Sequence, residues 1–226
     1  MTDPALYRLL AWSSPGYPTG AFSYSHGLEW AVEAGAVTTL QSLLDYVSAV
    51  ITRGGGWIDT VLFVQTWRAA GNPAALDDIA ELAAAFRGSA ETALESHQQG
   101  AAFLDVTRKA WPHPILDAFA ARHKGRGHVA HCVAVALACA AHQIPLEPAL
   151  HAYLHAVAAN LVSAGARLIP LGQTQAQIAI AQLAPEIAGV IRSAQAADLD
   201  DLGTAAPAIE LCSLQHETQY TRLFRS

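Results

Sequence analysis

Leu40, Leu43, Leu44, Val47 and Ile51 stand at i, i+3, i+4, i+7 and i+11, between Thr38-Thr39 and the triplet Gly54-Gly55-Gly56. This spacing gathers the apolar side chains on one face of a helix with 3.6 residues per turn. Thr38 or Thr39 can cap its start and the glycines end it. Similar periodicity recurs along the chain, and no run alternates apolar and polar residues as a half-buried strand does. An all-α fold is the expectation: one compact helical domain of roughly eight to ten helices, followed by a docking tail.

The punctuation predicts where the helices lie. Pro15, Gly16, Pro18 and Gly20 mark a loop, and Phe22 to Ala34 then reads as a helix that Gly35 terminates in the left-handed conformation. A helix from Trp57 to about Ala70 stops at Gly71-Asn72-Pro73. The region Ala74 to Trp111 is helical with a break near Gly88-Ser89, closed by Pro112 and Pro114. Beyond Gly125-Arg126-Gly127, apolar helices are predicted over His128 to His142 and Glu147 to Ile169. A further helix runs from Thr174 to about Ala197, kinked at Pro185. Residues 1–197 are thus read as the helical domain and 198–226 as an acidic, Ala-rich linker with a tail.

A chain of 226 residues, 52% hydrophobic and 14% charged, can bury a substantial core. The formal charge of -6 disfavours a nucleic-acid surface, which needs clustered Lys and Arg. Cys132, Cys139 and Cys212 are odd in number and lack CxxC spacing, so reduced thiols in a cytoplasmic setting are expected. The acidic, Pro-containing start Met1-Thr2-Asp3-Pro4 does not resemble a secretory signal, and no apolar run is read as a membrane span.

Motifs for phosphate cradling, zinc peptidase chemistry and a nucleophile elbow are missing, so no catalytic residue and no cofactor is assigned. The i, i+4 acids Glu29/Glu33 and Glu91/Glu95 can act as acid/base couples, but such pairs more often form charge partners or solvated faces. His128, His131 and Cys132 would share one face of a helix, a spacing that can bind a divalent transition metal, and offer the alternative reading of a helical metal-binding or metal-transfer protein. Buried core residues are the simpler account, and no metal ligand is assigned.

Arg167 sits in an apolar helix that Pro170 and Gly172 terminate, in the stretch Ala164-Gly165-Ala166-Arg167-Leu168-Ile169-Pro170-Leu171-Gly172-Gln173-Thr174. Burying a guanidinium costs several kcal/mol unless it is paired. Arg167 is therefore expected to anchor a buried polar network, with Glu29 as counter-ion, or to face a partner. The ending, with Tyr220, Leu223 and Phe224 among Arg222 and Arg225, carries the residue types that anchor interfaces.

Three blocks together resemble the urease accessory protein UreF family. They are Pro15 to Glu29, with Phe22-Ser23-Tyr24-Ser25 and Gly27-Leu28-Glu29; Arg167 to Thr174; and His216 to Phe224. Arg87-Gly88-Ser89-Ala90-Glu91 is a weaker fourth match. The chain departs from the family pattern at Ala93, Gln99 and Ala176. The resemblance implies an all-α, cytoplasmic, dimeric and non-catalytic scaffold that binds a UreD/UreH-type accessory protein. It further implies recruitment and modulation of a UreG-type GTPase for nickel insertion into apo-urease, with no membrane or nucleic-acid partner. Tyr24, Glu29, Arg167, Gln173, Tyr220, Arg222, Leu223 and Phe224 are the partner-binding candidates. Tyr24 and Arg222 are assigned to the GTPase side, and the tail to the grip on the UreD-type partner.

Overall fold

The computed structural model describes residues 3–125 and 128–226. Among these residues there are eleven α-helices and no strand: α1 Asp3–Trp12, α2 Leu28–Glu33, α3 Leu40–Arg53, α4 Gly55–Ala69, α5 Pro73–Ala85, α6 Ala90–Ala110, α7 Pro114–Arg122, α8 His131–Ala141, α9 Leu146–Leu168, α10 Gln173–Ala196 and α11 Pro207–His216. The all-α expectation holds.

Where polar groups close the orphan amides of a first turn, the sequence boundaries are sharp. Thr39 and Ser42 form a reciprocal capping box at α3, and Ser89 and Thr92 form another at α6. Asn72 accepts from the Ala75 amide ahead of Pro73, which needs no amide partner at the first position of α5. Gly35 takes the predicted left-handed conformation, with φ 75°.

α8 lies at the centre. Cys132 through Cys139 are all buried, between α4, α6 and α9, and the core continues through Phe63, Phe103, Phe119, Leu137 and Ile144. Leu40–Ala69 is apolar enough by composition to cross a bilayer, yet 61% of its most apolar window is buried inside the protein. Its hydrophobicity is accounted for by the core it forms.

Several elements depart from expectation. Phe22 to Ala34 is not one helix: a 3₁₀ turn at Ala21–Ser23 precedes α2, and His26 (φ 57°) and Gly27 (φ 77°) take left-handed conformations between them. A Cβ on Gly27 would stand 2.7 Å from the Ser213 amide nitrogen, so the break lets α11 approach this backbone.

The helix predicted from His128 begins at His131, because Ala130 is extended and residues 128–130 cross α6. The Val129 carbonyl there would lie 2.0 Å from a Cβ on Gly100. Pro185 lies inside α10, which runs from Gln173 to Ala196. Residues 198–207 hold a 3₁₀ turn, Leu199–Asp201, and a stretch tied down by the Ala205 amide donating to the Arg53 carbonyl at 2.8 Å. α1, α7 and α11 are helices the sequence patterns did not single out.

Candidate functional site

α2 and α6 each present two carboxylates one turn apart, Glu29/Glu33 and Glu91/Glu95, and all four receive groups from residues 216–226. Glu29 is 7% exposed and accepts the Leu223 amide at 2.6 Å and the Phe224 amide at 2.9 Å. His216, fully buried at the end of α11, spans the two helices. Its Nε2 is 3.1 Å from Glu29 and its Nδ1 is 2.6 Å from Glu91. Each ring nitrogen donates there when it carries a proton. Glu91 also pairs with Arg222 at 2.7 Å, Glu33 accepts from Gln219, and Glu95 accepts the Ser226 hydroxyl at 2.8 Å.

The block around Tyr24 completes the cradle. The Arg225 amide donates to the Ser23 carbonyl at 2.8 Å, and the Ser25 amide donates to the Ser226 carbonyl at 2.6 Å, in the manner of a short paired backbone contact. The Ser25 hydroxyl donates to the same carbonyl. Phe224 is buried beneath Arg167, whose guanidinium carbon lies 4.3 Å from the ring centroid. Ser89 and Ser213 join α6 to α11 through hydroxyls 2.7 Å apart.

The arrangement holds a segment of the protein's own chain, by the backbone at 223–226 and by the side chains of His216, Gln219, Arg222 and Ser226. Charge-assisted bonds to main-chain N–H groups fix a segment without holding its side chains. Tyr220 is fully exposed and Leu223 is 65% exposed beside Arg222, so two large apolar side chains stand clear of the protein, Leu223 on a backbone amide that Glu29 holds. Tyr24 is buried, with its hydroxyl donating to Gln98 and its carbonyl accepting from Asn160. Gln173 is exposed at the first residue of α10, away from these bonds. Of the departures from the family pattern, Gln99 is buried and donates to Glu95 at 3.2 Å, while Ala176 is buried in the first turn of α10.

The expected Glu29–Arg167 pair does not form. Glu29 is occupied by His216 and two amides; Arg167 is exposed and donates to the Phe22 carbonyl at 3.0 Å and the Ser163 carbonyl at 3.3 Å. The buried guanidinium belongs to Arg87, whose side chain is 9% exposed and lies 2.8 Å from Asp59. Burial alone would raise the Asp59 pKa, but the Arg87 charge and a 2.8 Å bond from the Tyr153 hydroxyl hold it below the usual carboxylate value. Sequence reasoning found Arg87 only within the weak fourth block, because its counter-ion lies far back in the chain, on α4.

The face formed by His128, His131 and Cys132 is also absent. His128 is exposed and precedes α8, whereas His131 is half-buried with its ring against Phe103 and Tyr153, and desolvation pushes its pKa down to about 4. Cys132 is fully buried beside Arg87, and burial raises its thiol pKa. No group of three or more potential metal ligands converges among the described residues.

The UreF family model matches residues 37–184. The chain is 52% identical to the urease accessory protein UreF of Rhodopseudomonas palustris over 226 residues, covering 98% of this chain and 94% of that protein. It is 53% identical to the protein of the same name from Granulibacter bethesdensis, over 99% and 95% of the two chains. It is 50% identical to the one from Bradyrhizobium diazoefficiens, over 98% and 92%. Matches of this identity and coverage make the chain a member of the urease accessory protein UreF family.

Proposed function

We propose that this protein is a non-catalytic, cytoplasmic scaffold of urease maturation. It acts as a homodimer, binds a UreD/UreH-type accessory protein, and recruits and modulates a UreG-type GTPase that delivers nickel to apo-urease. Family membership supports the maturation role. The observation that carries the docking role is the cradle, in which Glu29 holds the Leu223 and Phe224 amides and Glu91 the Arg222 guanidinium while the Tyr220 and Leu223 side chains stay exposed. Large apolar side chains on a pre-ordered backbone bind with little further ordering cost.

The work such a scaffold does is linkage. Binding one nucleotide- and metal-state of the GTPase more tightly than another shifts that partner's equilibrium by the difference in affinity and no more. The test is co-expression with the two accessory partners followed by size-exclusion chromatography and titration. Tyr220→Ala and Leu223→Ala are expected to weaken capture of the UreD/UreH-type partner by about tenfold or more each, with unchanged melting temperature. Full-strength assembly by the double variant would exclude this surface. Tyr24→Ala is a poorer probe, because Tyr24 is part of the packed support.

A further inference from the structure

α1 meets the body along one row, Ala5, Leu9 and Trp12, while Leu6, Tyr7 and Leu10 on its other side are exposed. The Trp12 ring packs edge-on against Phe103, Trp111 and His142, with centroids 5.8, 5.9 and 5.6 Å away. Trp12 Nε1 and Arg8 Nε, one turn apart on α1, are buried and find no hydrogen-bond partner among the described residues. An unmatched buried donor weakens the contact that encloses it, so α1 is held less firmly than its aromatic anchor alone would suggest.

His142, half-buried in the turn after α8, is the neighbour common to these groups. Its Nε2 lies 3.1 Å from the Trp111 carbonyl, which only accepts, so Nε2 carries the proton and Nδ1 of the neutral ring carries none. Arg8 faces it from α1, and His113, ahead of α7, faces it with ring centroids 5.3 Å apart. No carboxylate acts on the ring. A second proton on His142 therefore creates a cation beside Arg8 with no counter-charge.

We infer that α1 is a strap that acid releases: a proton taken up by His142 repels Arg8, unseats Trp12 and lifts residues 5–12 from the body while the other helices stay packed. The direction follows from the surroundings. Burial lowers the His142 pKa from its ordinary 6.5, the bond to the Trp111 carbonyl opposes that, and the Arg8 and His113 charges lower it further. Released, the ring meets water and binds its proton at the ordinary value. Docking of α1 is therefore full above about pH 6.5 and is lost as pH falls toward the lower, docked value. None of these residues belongs to the cradle, so the strap and the docking surface can fail separately.

The experiment is amide hydrogen exchange by mass spectrometry on the full chain at pH 7.5 and 5.5, with labelling times scaled to the intrinsic exchange rate at each pH. The times are kept short enough that a peptide from α8 stays unlabelled, which separates local opening from unfolding of the whole domain. The open population of α1 should rise about tenfold at pH 5.5. His142→Gln keeps an N–H for the Trp111 carbonyl and cannot take up the charge, so it should abolish the rise, whereas His151→Gln, at an exposed position of α9, should keep it. Should His142→Gln not fold, the ring of His142 in the parent protein is titrated by NMR, and its midpoint must lie below 6.5 and coincide with the opening of α1. An α1 population equal at the two pH values, a rise that survives His142→Gln, or a ring midpoint at or above 6.5 overturns the inference.

Discussion

Glu29→Gln changes one atom of a side chain that binds three donors, so its effect can be worked from geometry. In the native protein one carboxylate oxygen accepts the Leu223 amide and the other accepts the Phe224 amide and faces His216. A glutamine side chain has one acceptor oxygen and one NH₂ group, so in any orientation it turns a donor toward one of the two backbone N–H groups. One charge-assisted bond is lost and a buried donor is left unmatched, which costs about 1.5–3 kcal/mol. At 1.4 kcal/mol per decade, the open population of residues 217–226 rises about tenfold to about a hundredfold. Amide hydrogen exchange by mass spectrometry reads that change directly. Exchange should accelerate in a peptide spanning 217–226, while a peptide from α8, which never meets Glu29, keeps its protection. Unchanged exchange at 223–224 would mean that the carboxylate does not hold the segment, and the cradle would have to be abandoned.

Other consequences can be measured on the same protein. Arg87→Met leaves Asp59 buried without its ion partner and should cost about 3–5 kcal/mol in urea denaturation, with Arg87→Met/Asp59→Leu recovering a large part; a loss under about 1 kcal/mol contradicts the pairing. Gly100→Ala forces a methyl against the Val129 carbonyl and should lower stability by about 2–4 kcal/mol, whereas Gly71→Ala, with open space around it, should lie within about 0.5 kcal/mol of the parent. His131 has a folded pKa of about 4 against an unfolded value near 6.5, so the unfolded chain binds the extra proton first on acidification. Its contribution to stability is therefore full above about pH 6.5 and lost between about pH 6.5 and 4, by about 3 kcal/mol in all. His131→Phe should flatten the pH–stability curve across that window, and an unaltered slope counts against a desolvated neutral imidazole.

Much of this fold was legible in the sequence because helix ends are local events. Thr39, Asn72, Ser89 and Gly35 satisfy or release backbone groups within three or four residues of themselves, so α3, α5, α6 and the end of α2 follow from spacing alone. The all-α class follows from the same period. The block from His216 to Phe224 stands out by composition too, since Tyr220, Leu223 and Phe224 lie beside Arg222 and Arg225, the residue types that anchor interfaces.

What tertiary structure decided was pairing. Glu29 and Arg167 carry opposite charges and apolar flanks, and nothing in the sequence says that His216 and two backbone amides reach the acid first. Asp59 and Arg87 are 28 positions apart, and only the packing of α4 against α5 makes them partners. The left-handed turn at His26-Gly27 and the late start of α8 likewise arise from close approach of distant backbone at Ser213 and Gly100. Local propensity fixes where a helix can begin. Which charges meet depends on distances that exist only after the helices have packed.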